Sequence, residues 1–323
     1  MIEDEFLPSI YETKLPKLPN ADLKVVQAQP RKHPENLPKL HFLAYFCASR
    51  GSGKTTAIVN FIKKYDKARS FDHIIIYSPT ANNEPKYKHL IDCCNYATIE
   101  LFEDFSHDNF AELRLKIDKR IEEYKKYERD LEMWKKFKHY KGKWDDFNDD
   151  DLLRLHDLDF EKPTTEYKNG MPTHLILFDD QQGNKDLYGT QGAKAAAMNS
   201  FFILHRHKLT SVIFSCQSFK GNAVPKSIRQ NISCMCLWRN KSPEIQKEIA
   251  KECCAFVHPD DFIDYWNYAC EGSRHDFLYI DYEAPEPFNI RKNFNTLLSH
   301  SPVKMKKDNK NKLVPASSSE KKV

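Results

Sequence analysis

The sequence has no run approaching the roughly 20 apolar residues that cross a bilayer, which argues against a membrane-spanning helix. It has no basic stretch followed by an apolar one at its start: Met1 to Phe6 is acidic and Leu7 to Pro38 is broken by prolines, so a secretory leader is not expected. It has no CxxC pair. Its nine cysteines, Cys47, Cys93, Cys94, Cys216, Cys234, Cys236, Cys253, Cys254 and Cys270, are odd in number and scattered, a pattern of free thiols in a reducing compartment rather than of a disulfide framework or zinc site. There is little excess of charge, with 50 Lys and Arg against 46 Asp and Glu and a net of +4. That bias is weaker than a dedicated nucleic-acid module usually carries, so charge alone does not establish a DNA partner. No internal repeat is visible.

What is present is enough for one sizeable core. At 323 residues the chain has the length of two small domains or of one decorated domain, and the pattern favours the second. Residues 1–39 are proline-rich with little periodicity and read as an extended arm over a surface or a neighbouring subunit. From Leu40 the chain turns to short apolar runs that end in polar loops: Phe42 to Cys47, His73 to Tyr77, His174 to Phe178, Ser211 to Ser215 and Cys234 to Trp238. These read as central parallel strands alternating with helices, an α/β fold with a doubly wound, mainly parallel sheet. A helix over Lys194 to His205 feeds the fourth. Ser242 caps a helix with Pro243 in its first turn, another helix runs over Pro259 to Ala269, and a short strand follows over Asp276 to Ile280.

Between the second and third strands lies a charged insert, about residues 103–170. Its segment Phe110 to Phe137 lacks Pro and Gly and spaces Leu113, Ile117, Ile121, Tyr124, Leu131 and Trp134 three or four apart among Lys, Glu and Arg. That spacing predicts a long amphipathic helix, returning as a hairpin through Asp149 to Leu158, and reads as a solvated structural arm. Residues 303–323 are rich in Lys and Ser without apolar period and read as a disordered basic tail. The domain proper is then 40–302.

Chemistry concentrates in three places. Ala48-Ser49-Arg50-Gly51-Ser52-Gly53-Lys54-Thr55-Thr56 follows an apolar strand and precedes the helical pattern Ala57 to Tyr65, the context of a phosphate-binding P-loop, or Walker A motif. Gly51 and Gly53 let backbone N–H groups turn toward phosphate oxygens, and the new helix points its positive end at them. Lys54 is placed to reach the β- and γ-phosphates of ATP, and Thr55 to ligate Mg2+. The loop from Ser49 to Thr56 is the nucleotide cradle.

His174-Leu175-Ile176-Leu177-Phe178-Asp179-Asp180 is a strand ending in two carboxylates, the form of a Walker B motif. Asp179 is assigned to the Mg2+ shell and Asp180 to orienting or deprotonating the attacking water, with Gln181 or Gln182 open to sharing that task. The strand His73 to Tyr77 separates the two motifs, as the additional-strand (ASCE) class of P-loop NTPases requires. Ser211-Val212-Ile213-Phe214-Ser215-Cys216-Gln217 ends in an amide suited to bridge γ-phosphate and water, so Gln217 is the candidate sensor. Arg206 and Arg229, each ahead of a strand, are candidate arginine fingers toward a neighbouring subunit.

As an ordered set, Ala48 to Thr56, Leu175 to Asp180, Arg206-His207, Ser211-Val212-Ile213, Gln217, Pro225 and Arg229 resemble the FtsK and HerA superfamily, and within it the poxvirus-type genome-packaging ATPases of large DNA viruses. The resemblance covers Leu40 to Asn240 without the insert. It implies a RecA/FtsK-like fold, an oligomeric ring around double-stranded DNA, and ATP hydrolysis that drives a viral genome into a capsid. It further implies partners among capsid or membrane-associated virion proteins, and work in the host cytoplasm, at the virus factory, or in the virion. Two other readings stay open: another P-loop DNA motor, such as a helicase or recombination ATPase, and an ATP-binding capsid adaptor without turnover.

Overall fold

All five apolar runs are buried strands of one sheet. A computed structural model describes residues 11–14, 31–139, 147–188, 192–219, 224–254, 257–300, 305–307 and 313–315. β2 (Leu43–Cys47), β3 (His73–Tyr77), β5 (His174–Asp179), β6 (Thr210–Cys216) and β7 (Cys234–Trp238) match the expected strands to within a residue. With β4 (Thr98–Phe102) they run parallel in the order β7-β2-β6-β5-β3-β4.

The strand lying between the P-loop strand β2 and the acid-bearing strand β5 is β6, not β3. Separation along the sequence had pointed to β3. The arrangement is nevertheless that of the additional-strand class, because one strand is inserted between the lysine and the acids. Beyond β7 the sheet turns antiparallel through β8 (Phe277–Asp281), β9 (Ile290–Lys292) and β10 (Thr296–Ser299), and β1 (Tyr11–Lys14) closes that edge.

Alternation along the strands sends side chains to two apolar layers. Phe42, Ala44 and Phe46 face α1 (Lys54–Lys67) and α2 (Pro85–Cys93), and Leu43, Tyr45 and Cys47 face the opposite layer. That second layer is built by α3 (His107–His139), α6 (Gly192–Leu204), α8 (Pro243–Cys253) and α9 (Pro259–Ala269). Both faces are covered, so the strands read as continuous apolar runs. α8 begins as its sequence demands: Ser242 accepts from the Ile245 N–H, with Pro243 in the first turn.

Two expectations, on the insert and on the tail, need correction. The insert is not a solvated arm throughout, because Phe110, Leu113, Ile117 and Ile121 of α3 lie in the main core. Past Tyr124 the buried positions move to Asp130 and Met133, while Leu131 and Trp134 are only half-buried. The reason is a change of partner: the far end packs on Phe147 and Leu155, the latter from α4 (Asp149–Asp157), the returning limb, rather than on the sheet.

The described part of the arm, from residue 31, lies on the domain. Leu37 is buried, and the Arg31 guanidinium binds Asp72 at 2.6 Å and the carbonyls of Gly170 and Met171 at 3.0 and 2.8 Å, stapling that stretch to the domain. Within the stretch read as a disordered tail, β11 (Met305–Lys307) and β12 (Leu313–Pro315) pair antiparallel. The remainder of the arm and tail lies outside the described residues. None of the described helices is long and apolar enough to cross a membrane.

Candidate nucleotide site at the strand ends

A parallel sheet collects its loops at the carboxyl ends of its strands, and the three motifs meet there. The loop after β2 is tied to β6 by the Ala48 N–H, which donates to the Cys216 carbonyl at 3.1 Å. Gly51 and Gly53 have φ of 79° and 90°, left-handed values that a side chain would strain. Gly53 is the residue before α1, so the chain enters the helix with its first N–H groups aimed out of the loop. Ser49, Arg50, Gly51 and Thr56 are exposed, Thr55 is half-buried and Ser52 is buried.

Lys54 is 7% exposed, and its Nζ lies 2.7 Å from Oδ1 of Asp180, whose side chain is 43% exposed. Asp180 has φ of 50°, an uncommon conformation that aspartate tolerates better than most residues, and it follows the last strand residue, Asp179. Turning the chain there separates the two carboxylates: Asp180 faces the lysine at the surface, and Asp179 points inward. Asp179 is buried and accepts from the hydroxyls of Tyr87 and Ser215. Burial raises its pKa, and Lys54 and the two hydroxyls oppose that rise.

Gln181 and Gln182 do not face the lysine. Gln181 is buried and accepts from Asn184 at 3.1 Å. The Gln182 Oε1 accepts from the Gln217 backbone N–H at 3.1 Å, and its amide donates to the Ser218 hydroxyl, joining the acid-bearing loop to the sensor loop. Gln217, the candidate sensor, is exposed just past the end of β6. Asp180 is thereby the acid from this loop that meets Lys54.

Neither arginine reaches this constellation. Arg206 sits at the opposite end of β6, paired with Glu283 at 2.9 Å. Arg229 is 10% exposed and bound to Glu252 at 2.8 and 3.0 Å and to the carbonyls of Val224 and Phe219 at 2.6 and 3.3 Å. It holds the chain that leaves β6, so a finger role conflicts with its bonding here. Sequence reasoning missed Tyr87, Ser215 and His275. Ser215, a hydroxyl at the carboxyl end of β6 after the apolar run Val212 to Phe214, was the one with a visible signal. His275 places Nδ1 3.1 Å from the Ser52 carbonyl, and nothing near it in sequence suggests that contact.

The residues present fit Mg2+. One buried carboxylate and one hydroxyl, Asp179 and Thr55, suit an ion that keeps waters and takes phosphate oxygens, and the described residues hold no group of three acidic, His or Cys side chains that would make a dedicated cage. All nine cysteines are free and six are buried. Burial pushes the Cys47 thiol up to about 12, which leaves it unreactive beside the P-loop.

No family model matches the chain, and no curated protein matches it. Solved structures similar to it include the genome packaging NTPase B204 from Sulfolobus turreted icosahedral virus 2 in complex with ATP-gammaS, at 12% identity and TM-score 0.43, covering 78% of this chain and 95% of that one. Another is the pCW3 conjugation coupling protein TcpA with ATPgS, at 11% identity and TM-score 0.41, covering 88% and 70%. The chain is similar as well to the cytoplasmic domain of the type VII secretion ATPase EccC of Thermomonospora curvata, at 12% identity and TM-score 0.40, where it spans 28% of the longer protein.

Proposed function

We propose that this protein hydrolyses ATP and uses the energy to move double-stranded DNA, as in packaging a viral genome. The observation that carries the hydrolytic part is the Lys54–Asp180 pair at 2.7 Å with Asp179 buried behind it, on loops separated by the sensor strand. A lysine at the mouth of a glycine-turned loop stabilises charge on the transferring phosphoryl group. Binding of the γ-phosphate draws Lys54 away from Asp180 and leaves that carboxylate free to take a proton from the attacking water. Thr55 and Asp179 would hold Mg2+, which would supply charge neutralisation at the phosphates. Gln217, joined through its backbone to Gln182, is positioned to report the state of the γ-phosphate to the acid-bearing loop.

The DNA part rests on the ordered set of motifs and on nothing in the site itself. It brings with it a homo-oligomeric ring, capsid or membrane-associated virion partners, and work in the host cytoplasm or virion. One assay series tests the reading: ATP turnover with Mg2+, alone and with duplex DNA, single-stranded DNA or RNA. Turnover is expected to rise with duplex, to vanish in Lys54→Ala, and to fall at least about a hundredfold in Asp180→Asn with ATP affinity kept. Unchanged turnover in Lys54→Ala refutes the site. Stimulation by single strands alone replaces the packaging motor with a helicase.

A further inference from the structure

Beside the P-loop runs a groove of about 670 Å3, within the range of sites for small organic ligands. One wall is Gly53 and a face of α1 on which Thr56, Asn60, Lys64 and Lys67 recur at three or four residues, with Lys63 beside them. The other wall is His275, in the turn before β8, with Phe294 and Asn295 in the turn between β9 and β10. The groove opens at Gly53 and Thr56, where the phosphate cradle ends.

Its direction is informative. β2 has two neighbours in the sheet; β6, with β5 beyond it, brings Gln217, Asp179 and Asp180 to one side of the P-loop. β7 and β8 lie on the other side, and Phe277 pairs with Trp238 at the same sheet edge as the P-loop. A nucleotide with its γ-phosphate at Lys54 and Asp180 and its other phosphates along the P-loop would extend away from β6, toward this groove.

We propose that the groove receives the purine nucleoside, with Phe294 as its floor, His275 as its lip and the Asn60 and Asn295 amides reading the base edge. This rests on the nucleotide reading above and deepens it. Phe294 is a fixed apolar wall, 7% exposed, its ring 5.6 Å from Phe61, 5.0 Å from Phe277 and 5.3 Å from Tyr279. The Lys64 Nζ lies 5.0 Å from its centroid, so a base stacked there takes the place of that ammonium. Asp276 and Asn293 bind each other at 3.1 Å and are wall rather than readers.

Asn60 and Asn295 are exposed, and their side-chain amides make no hydrogen bond among the described residues. An amide offers a donor and an acceptor side by side, which matches the amine and ring nitrogen of adenine; guanine places a carbonyl where adenine has the amine. His275 accepts from Arg274 at Nε2 and holds the Ser52 carbonyl with Nδ1, so base and phosphate cradle meet through one ring. Its close approach explains a second demand on Gly53, where an added Cβ would fall 2.8 Å from that ring.

The test is equilibrium binding, with Mg2+, of ATP, GTP and inorganic tripolyphosphate to the full chain and to Lys54→Ala and the double variant Asn60→Ala with Asn295→Ala, with thermal melts confirming that each folds. Wild type is expected to prefer ATP to GTP. The double variant is expected to lose about tenfold to a hundredfold in ATP affinity, the size of one or two hydrogen bonds, with tripolyphosphate unchanged. Lys54→Ala is expected to weaken both. ATP binding by the double variant at wild-type strength overturns the groove while leaving the phosphate site standing. A wild-type chain that binds neither ATP nor tripolyphosphate overturns the phosphate site and the groove with it.

Discussion

Arg206 and Arg229 each precede a strand, yet the fold gives them different surroundings and so different tests. Arg229 is nearly buried, and truncating it leaves Glu252 without its cation and two carbonyls without a donor. Breaking a buried pair from one side costs about 3–5 kcal/mol, so Arg229→Ala should lower the urea midpoint sharply and lose activity through stability. Arg206 is 57% exposed and paired with a surface glutamate, and losing such a pair costs about 1 kcal/mol or less. Its variant should fold. β6 lies between Arg206 and the P-loop edge, roughly 20 Å at a strand's rise per residue, so it cannot serve its own subunit's phosphate. If Arg206 is the finger, Arg206→Ala suppresses turnover, and mixing it with Lys54→Ala restores part of it, because a hybrid interface regains both groups. Arg206→Ala with wild-type turnover at every protein concentration removes it as a finger. Restoration on mixing Arg229→Ala would instead return the finger to that residue.

At the scale of elements, α3 divides at about Tyr124 and suggests where the insert can be cut. Phe110, Leu113, Ile117 and Ile121 are worth about 1.5–3 kcal/mol each as buried side chains, so deleting residues 103–170 should unfold the sheet's second face. Met133, Phe147 and Leu155 form a separate small core at the far end. Replacing residues 128–160 with a short flexible linker should therefore leave the melting temperature and basal ATP turnover close to wild type. That segment carries ten acidic and seven basic residues, so the salt slope of duplex binding should be unchanged; a clearly shallower slope would make the segment a DNA contact. The same helix shows where legibility ends. Its existence and the core positions Leu113, Ile117 and Ile121 were readable from spacing, whereas its second face was not, because the partner that selects it returns through α4. The parallel strands were readable because both faces are buried and their runs are continuous. β4, with its exposed edge, and the short β9 and β10 left no comparable mark. In the site, Lys54, Asp179 and Asp180 lie in local patterns. Tyr87 reaches Asp179 from 92 residues away in a helix with no motif.

For the molecule as a whole, acid is the expected weak point, and the reason lies at the end of the sheet opposite the P-loop. His73 and His174 are register partners on β3 and β5, with rings stacked 5.4 Å apart, and their four ring nitrogens find no hydrogen-bond partner among the described residues. His41 lies near, with its Nδ1 likewise unpartnered. Burial lowers the pKa of all three, to about 4 for His41; Arg120 lowers His73 and His174 further, and His205 and Arg206 lower His41 further. Asp72, Glu100 and Glu166 pull His73 the other way without reversing the shift. The unfolded chain takes up these protons near pH 6.5, before the folded chain does, so stability is full above that value and falls as the pH drops toward about 4. Each histidine that stays neutral in the fold removes at most about 2 kcal/mol at pH 5, and partial exposure of His41 and His73 reduces their share, so the cluster as a whole should cost roughly 2–4 kcal/mol. Urea melts at pH 7.5 and pH 5.0 measure it. His174→Leu removes one titrating group and two unpartnered nitrogens at similar volume, so its stability at pH 7.5 should stay within about 1.5 kcal/mol of wild type or exceed it. Its loss on going to pH 5.0 should be visibly smaller than that of wild type. Equal losses in the two proteins would place the acid sensitivity in the carboxylates rather than in this cluster.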